Sequence, residues 1–499
     1  MTTRTQIIQI YLPNSNFSVI GTAETTTRTM KAFDTPSQRT KVTIMADRFK
    51  FEDSVFGYIV DSDHNVLGGS ASLEYLSEKI VLTIMWGQSS GHIFGTWFGT
   101  NLVPAGDNLY VYDDTIAVPP LIFMVTEKTV YALVGCSFGG HVSTDFLGQK
   151  NTGKINVAYV VDAGETEDYS TVNGMQSELS YLHHWFQRTI RRVKTEVDEH
   201  NLVKGISVRY TNLQSHKIGT FEGIELQLNQ SYETSYGKLG EMTVREFPCI
   251  ETFSSSPSTW HSHLTIHRRV RELVSVSCLR PSCFMYHNAR RLDDKQQLVA
   301  DDRTLLDKKP KDWRKVSTVI TGIQSYPTAS IEPKHLFLYQ DIGSAGIIRW
   351  VKMRDDYSDG LAPYLTVIET PTATIETHCI LMGIAFEGLY TRLKSQKIIP
   401  GEAKHFRNKL EEVVTLIPYQ VPFDLNAWCS DMEASYHSNK HFDRPEKKAD
   451  TLTVAGSTDK AIQLMRLWIA SELGLPASSV ASHFQQNTIC KTFTVGTMV

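Results

Sequence analysis

The stretch IETHCILMGIAFEGLYTRLKS, residues 375–395, sets Ile375, Cys379, Met382, Phe386, Leu389 and Leu393 at steps of 4, 3, 4, 3 and 4. Only an α-helix gathers that spacing onto one apolar face. The same period returns in EAKHFRNKLEEVVTLI, DLNAWCSDMEASYHSNKH and TDKAIQLMRLWIASEL, the last closed by Gly474 and Pro476 in the order that ends a helix. The C-terminal third is therefore predicted to be a helix bundle. Upstream the pattern changes. KVTIMADRFKFED, KIVLTIMWG, TVYALVGCSFGG, KINVAYVVDAG and FEGIELQLN are short β-branched or aromatic runs bounded by Gly, Asp, Asn or Ser, as strands between tight turns are. Two helices are expected to interrupt them, one over Met175–His200 and one beginning near Ser256.

The fold class that follows is α+β: a β-rich N-terminal region of sandwich-like sheets with intervening helices, then a C-terminal helix bundle. The change of period is expected between Asp301 and Ile347, past the charge-dense segment RRLDDKQQLVADDRTLLDKKPKDWRK. The expected division is 1–330 for the β-rich region, with a split near 165–205 if it holds two subdomains, 331–485 for the bundle and 486–499 for a tail. A net charge of −4 leaves no global basic excess, so any nucleic-acid contact has to come from a local patch. The seven cysteines include no CxxC pair, which fits reduced thiols in a cytoplasmic protein. The apolar runs are too short to span a membrane.

Gly135-Cys136-Ser137-Phe138-Gly139 matches the G-x-S-x-G elbow of serine hydrolases. The elbow works only as strand, turn and helix. GGHVSTDFLGQKNTGKINV, with its glycines and polar residues, is a poor start for a helix, so Ser137 is expected to be structural and a hydrolase is the third reading. Three groups of histidines invite a metal reading: His183-His184, His261/His263/His267 and His437/His441. Two imidazoles four residues apart make half a zinc site, and neither such pair carries the HExxH glutamate. No metal and no cofactor are expected.

The third group differs from the others. SYHSNKHFDRPEKK, residues 435–448, packs Tyr436, His437, Asn439, Lys440, His441 and Arg444 into one stretch at the end of a bundle helix. An imidazole that titrates near neutrality can take a proton from an attacking hydroxyl. Fixed cations and amide donors can stabilise charge on phosphate oxygens. The same residues also describe a helix C-terminus supplied with cations that suit its dipole.

VYALVGCSFGGHVSTDF, ELSYLHHWF, SSPSTWHSHLTIHRRVRELVSV, GIIRWVKMRDDYSDGLAPYL and IETHCILMGIAFEGLY together resemble the ApeA-type anti-phage defence proteins of the HEPN superfamily, over roughly Lys128 to Pro476. The resemblance implies a metal-independent endoribonuclease in which the RNA 2′-hydroxyl attacks the neighbouring phosphorus, leaving a 2′,3′-cyclic phosphate. It implies an RNA substrate (tRNA or another cellular RNA), a phage-derived trigger and a homodimer or higher oligomer. It also implies a β-rich sensor region. The family signature is an Arg, a polar residue and then a His a few positions on. His441 falls on the His, His437 on the polar residue, and Tyr436 on the Arg. Tyrosine has one hydroxyl and no guanidinium fork. His437, Lys440 or Arg444 would then supply the missing cation, with Asn439, Lys440 and Arg444 binding phosphate and Glu387 orienting a motif side chain. The alternative is a HEPN module that binds RNA or a partner protein without cutting it.

Overall fold

The computed structural model describes residues 5–11, 18–21, 54–76, 79–87, 93–106, 109–113, 115–144, 150–165, 167–211, 215–236, 242–296, 309–310, 313–321, 333–440 and 449–486. Strands dominate up to Thr318 and helices from Tyr339 onward, so the change of period lies where the spacing places it. Among the described residues, fourteen strands form one antiparallel sheet whose outermost members are Ser137–Thr144 and His216–Phe221. A second sheet orders Arg191–Val197, Val203–Thr211, Thr5–Tyr11 and Ser18–Gly21. The helices are α1 (Ile93–Phe98), α2 (Leu182–Phe186), α3 (Trp260–Cys278), α4 (Tyr339–Asp356), α5 (Ser358–Glu369), α6 (Ile375–Ser395), α7 (Phe406–Val414), α8 (Leu425–Lys440), α9 (Thr451–Glu472) and α10 (Ala477–Gln486).

The α6 register follows the apolar period. Cys379, Met382, Phe386, Leu389 and Leu393 are all buried, and each large side chain so removed from water contributes about 2 kcal/mol. The Thr374 hydroxyl accepts from the Thr377 N–H at 3.3 Å to start the helix, and Arg392 and Lys394 suit its last turn. Asp450 caps α9 in the same way, accepting from Leu452 N and Thr453 N at 3.0 Å each.

One expected helix is absent. Met175–His200 holds the end of the strand Thr171–Leu179, the short α2, and the strand Arg191–Val197. Leu179, Leu182, Phe186, Ile190 and Val193 have helical spacing, but Thr171–Leu179 lies between two strands with both faces buried, so it shows no alternation to give it away. Tyr181 and Gln187, at φ 66° and 50°, are left-handed turns that bracket α2. The helix expected near Ser256 is present as α3, capped by Thr259, whose hydroxyl accepts from Ser262 N at 3.2 Å.

Ser137 opens a strand rather than a helix. Val130–Val134 runs into Gly135, at φ 67°, and the chain continues as Ser137–Thr144 with Ser137 opposite Asn156. The hydrolase elbow has no helix to build on.

The underside of the large sheet and the C-terminal helices share one core, which runs from Leu226, Leu228 and Ile250 through α3 to Trp350, Trp428 and Trp468. α3 is the connecting layer. Trp350 Nε1 donates to Arg269 O at 2.7 Å, Arg354 pairs with Glu272 at 2.9 Å, and Arg466 of α9 donates to Ser277 O at the end of α3.

Candidate functional site

α8 buries Trp428, Cys429, Met432, Ser435 and Tyr436 along one face. Tyr436 is only 1% exposed and packs its ring, tilted, against Phe406 of α7 at 4.7 Å between ring centroids. Its ring lies against Gly383 of α6, where a β-carbon would sit 2.2 Å from the Tyr436 Cδ2. Glycine at 383 is therefore a steric requirement for the seat of this ring.

The tyrosine hydroxyl carries the ring position into a charged cluster. It donates to Glu387 Oε2 at 2.9 Å and accepts from Lys440 Nζ at 3.1 Å. Lys440 Nζ is also 3.8 Å from Glu387 Oε2, and Lys409 of α7 reaches Glu387 Oε1 at 3.4 Å. Three helices thus place two ammonium groups and one phenol around one carboxylate. The ammonium of Lys440 also lies 4.8 Å from the centre of the Tyr436 ring. Burial raises the Tyr436 pKa, the Glu387 contacts raise it further and Lys440 opposes them. The hydrogen bond to Tyr436 raises that of Lys440 against a smaller desolvation effect. The lysine is therefore held as a cation.

His437 lies beside this cluster with its side chain 47% exposed, Nε2 4.0 Å from Glu433 Oε1. Asn439 turns back along its own helix and donates to Ser435 O at 2.9 Å. Of the residues expected at the site, Glu387, Tyr436 and Lys440 are brought together, His437 is adjacent, and Asn439 is committed to the helix backbone. His441 and Arg444 lie outside the described residues. Lys409 is an addition that sequence spacing does not reveal, because only the packing of α7 on α6 brings it to Glu387.

The histidines of α3 have the opposite surroundings. His261 is exposed, whereas His263 and His267 are fully buried. The Thr252 hydroxyl bridges His263 Nδ1 at 2.8 Å and His267 Nε2 at 2.9 Å. The Ser177 hydroxyl bridges His267 Nδ1 and His287 Nδ1 at 2.7 Å each, and His287 Nε2 reaches Thr321 Oγ1 at 2.8 Å. Neutral imidazole has one donor and one acceptor, and a hydroxyl has one proton, so every link of the chain can form when all its members point the same way, while His263 Nε2 at its end is buried without a partner among the described residues. Burial lowers the His263 pKa to about 4 and that of His287 to about 3, the latter helped by Arg268. It drives His267 well down too, with His287 and His263 adding to the effect. These are neutral structural histidines. Among the described residues no three His, Cys, Asp or Glu side chains are grouped to hold a metal ion, and no helix is long and apolar enough to cross a membrane.

Two family models match the chain. One, described as ApeA N-terminal domain 1, spans residues 62–350 and takes in the whole histidine–hydroxyl chain. The other, described as Apea-like HEPN, spans residues 386–479 and takes in Glu387, Lys409 and the 436–444 stretch. The first match begins at Ser62, well before the Lys128 at which the sequence likeness starts. No curated protein and no solved structure matches the chain.

Proposed function

We propose, for a chain that belongs to the ApeA family and carries an ApeA-like HEPN domain, that the end of α8 is an RNA-cleaving site serving anti-phage defence. The observation that supports this reading is the cluster of Lys440 and Lys409 about Glu387 and Tyr436, where α8 leads toward His441. In the proposed reaction the RNA 2′-oxygen bonds to phosphorus as the bond from phosphorus to the 5′-oxygen breaks. His441 moves the proton, and Lys440 supplies the positive charge that Tyr436 does not. Two ammonium groups against one carboxylate leave a surplus positive charge for a phosphate oxygen, and such preorganised charge lowers the barrier at a phosphoryl centre. The β-rich region acts as the sensor of a phage-derived trigger, and sites pair across a homodimer or larger assembly.

The experiment is cleavage of a labelled RNA in EDTA, with protein taken alone and in lysate from infected cells. The expected products end in 2′,3′-cyclic phosphate, and DNA of the same sequence survives because it lacks the attacking hydroxyl. A second reading has its own observation. Tyr436 is buried and its hydroxyl is engaged by Glu387 and Lys440, so a neutral side chain fills the signature's Arg position. A HEPN module that binds RNA or protein without cutting is the reading that gains if no cleavage occurs under any of these conditions.

A further inference from the structure

Lys409 and Lys440 reach the Glu387 carboxylate from different helices, and among the described residues no other carboxylate pairs with either. Both contacts are long. Lys409 Nζ stands 3.4 Å from Oε1 and Lys440 Nζ 3.8 Å from Oε2, whereas a charge-assisted bond settles at about 2.8 Å. The short bond to this carboxylate is the neutral one, from the Tyr436 hydroxyl at 2.9 Å. Three donors therefore converge on two oxygens, and the two cations are offset by the acid without being tied to it.

The cluster is open on one side. The Glu387 side chain is 34% exposed and both lysines are partly exposed. Ile384 and Thr391, three residues before Glu387 and four after it, share its face of α6 and are exposed as well. Glu387 thus has solvent-facing surface to turn onto without unpacking the helix. The donors keep anchors of their own when it does. The Tyr436 ring is held by Phe406 and Gly383, Lys440 is bonded to the Tyr436 hydroxyl at 3.1 Å, and Lys409 lies 5.7 Å from the centre of the Tyr390 ring. The donor set stays and the acid is free to leave. A phosphodiester is the nearest chemical likeness of that acid, one negative charge shared by two oxygens.

We infer that Glu387 occupies a phosphate seat: a phosphodiester of RNA displaces its carboxylate and takes Lys440, Lys409 and the Tyr436 hydroxyl as ligands. RNA as the source of that phosphate rests on the reading above. The test is fluorescence anisotropy of the full chain with a labelled 2′-O-methyl RNA, at one salt concentration throughout. Glu387→Gln is expected to bind the probe about tenfold more tightly than the parent, the scale of one charge at a contact surface. Adding Lys409→Gln to that variant is expected to take the gain away. Asp431→Asn removes an exposed acid of α8 nine residues before Lys440. At roughly 13 Å along the helix it lies beyond the reach of charge through salt water, and it is expected to change affinity less than about twofold.

A carboxylate that only orients Lys440 and Tyr436 predicts the opposite, weaker binding by Glu387→Gln. Weaker or unchanged binding by the folded variant would overturn the proposal. So would an equal gain from Asp431→Asn, a gain that survives Lys409→Gln, a gain confined to DNA of the same sequence, or no binding by parent and variant alike. If Glu387→Gln does not fold, Glu387→Asp keeps the charge and draws the carboxylate back by one methylene. Tighter binding by it supports the seat, and unchanged or weaker binding overturns it. The probe has no 2′-hydroxyl to attack, so it reads the seat alone. Failure of the cleavage reading would show instead as ordinary RNA left intact in EDTA by a protein whose Glu387→Gln variant still gains affinity for the probe.

Discussion

Two pairs of histidines in this chain share a four-residue spacing in sequence, His263/His267 and His437/His441, yet the surroundings of the first pair, on α3, and of His437, on α8, are opposite. The first pair is sealed between α3 and the sheet and is linked to the Thr252 and Ser177 hydroxyls. His437 stands half in solvent beside Glu433 and the rings of Tyr436 and Phe406. Spacing reports which residues share a helix face. It does not report what covers that face. A histidine sealed in a neutral chain of hydroxyls and imidazoles is positioned for stability, whereas one left half-exposed keeps its access to water.

The largest expected contrast is in stability. His267→Leu removes the link between two buried hydroxyls and leaves Thr252 and Ser177 short of a partner, at a cost of about 3 kcal/mol. His437→Ala, on an exposed face, should stay within about 0.5 kcal/mol of the parent. Thermal unfolding of both variants checks this, and equal losses would erase the distinction.

The next contrast is in pH dependence. The folded-state pKa values of His263 and His287, about 4 and about 3, lie below the unfolded value of 6.5. Below pH 6.5 the unfolded chain therefore binds more protons than the native one. The stabilisation these residues give is complete above that pH and is lost as pH falls toward 4 and 3. Each histidine is expected to lower stability by up to about 1.4 kcal/mol per pH unit in that window. Unfolding midpoints between pH 7 and pH 4.5 measure the slope. A flat profile would mean that these imidazoles are not held neutral.

How much of this was legible in the sequence depends on whether the signal was local. The α6 face was readable because one helix buries one stripe, and Cys379 through Leu393 lie on it. The absence of a hydrolase elbow was readable because GGHVSTDF cannot start a helix. Thr171–Leu179 was misread because a strand buried on both faces loses its alternation. At the site, Tyr436, His437 and Lys440 were readable as one stretch of one helix, and Glu387 as a polar residue on the apolar-faced α6. Lys409 was not readable, because its link to Glu387 spans 22 residues and depends on how α7 packs. Gly383 was equally silent, since its role exists only once the Tyr436 ring lies against it.

A smaller effect sharpens the comparison at the α8 end. Tyr436→Phe removes one hydroxyl from between Glu387 and Lys440, and should cost about 1 kcal/mol while keeping the ring packed on Phe406. Thermal unfolding measures that cost. A loss as large as that of His267→Leu would show that the cluster is a structural keystone, like the chain of histidines under α3.

The most direct measurement is the rate of RNA cleavage in EDTA by folded, triggered protein, compared between the parent, His441→Ala and His267→Leu. The expected result is a fall of roughly a hundredfold or more for His441→Ala, the scale of losing a general acid or base, while whatever His267→Leu protein remains folded cleaves at the parent rate. Cleavage at the parent rate by His441→Ala, or loss of cleavage confined to folded His267→Leu, would contradict the assignment of the chemistry to the end of α8.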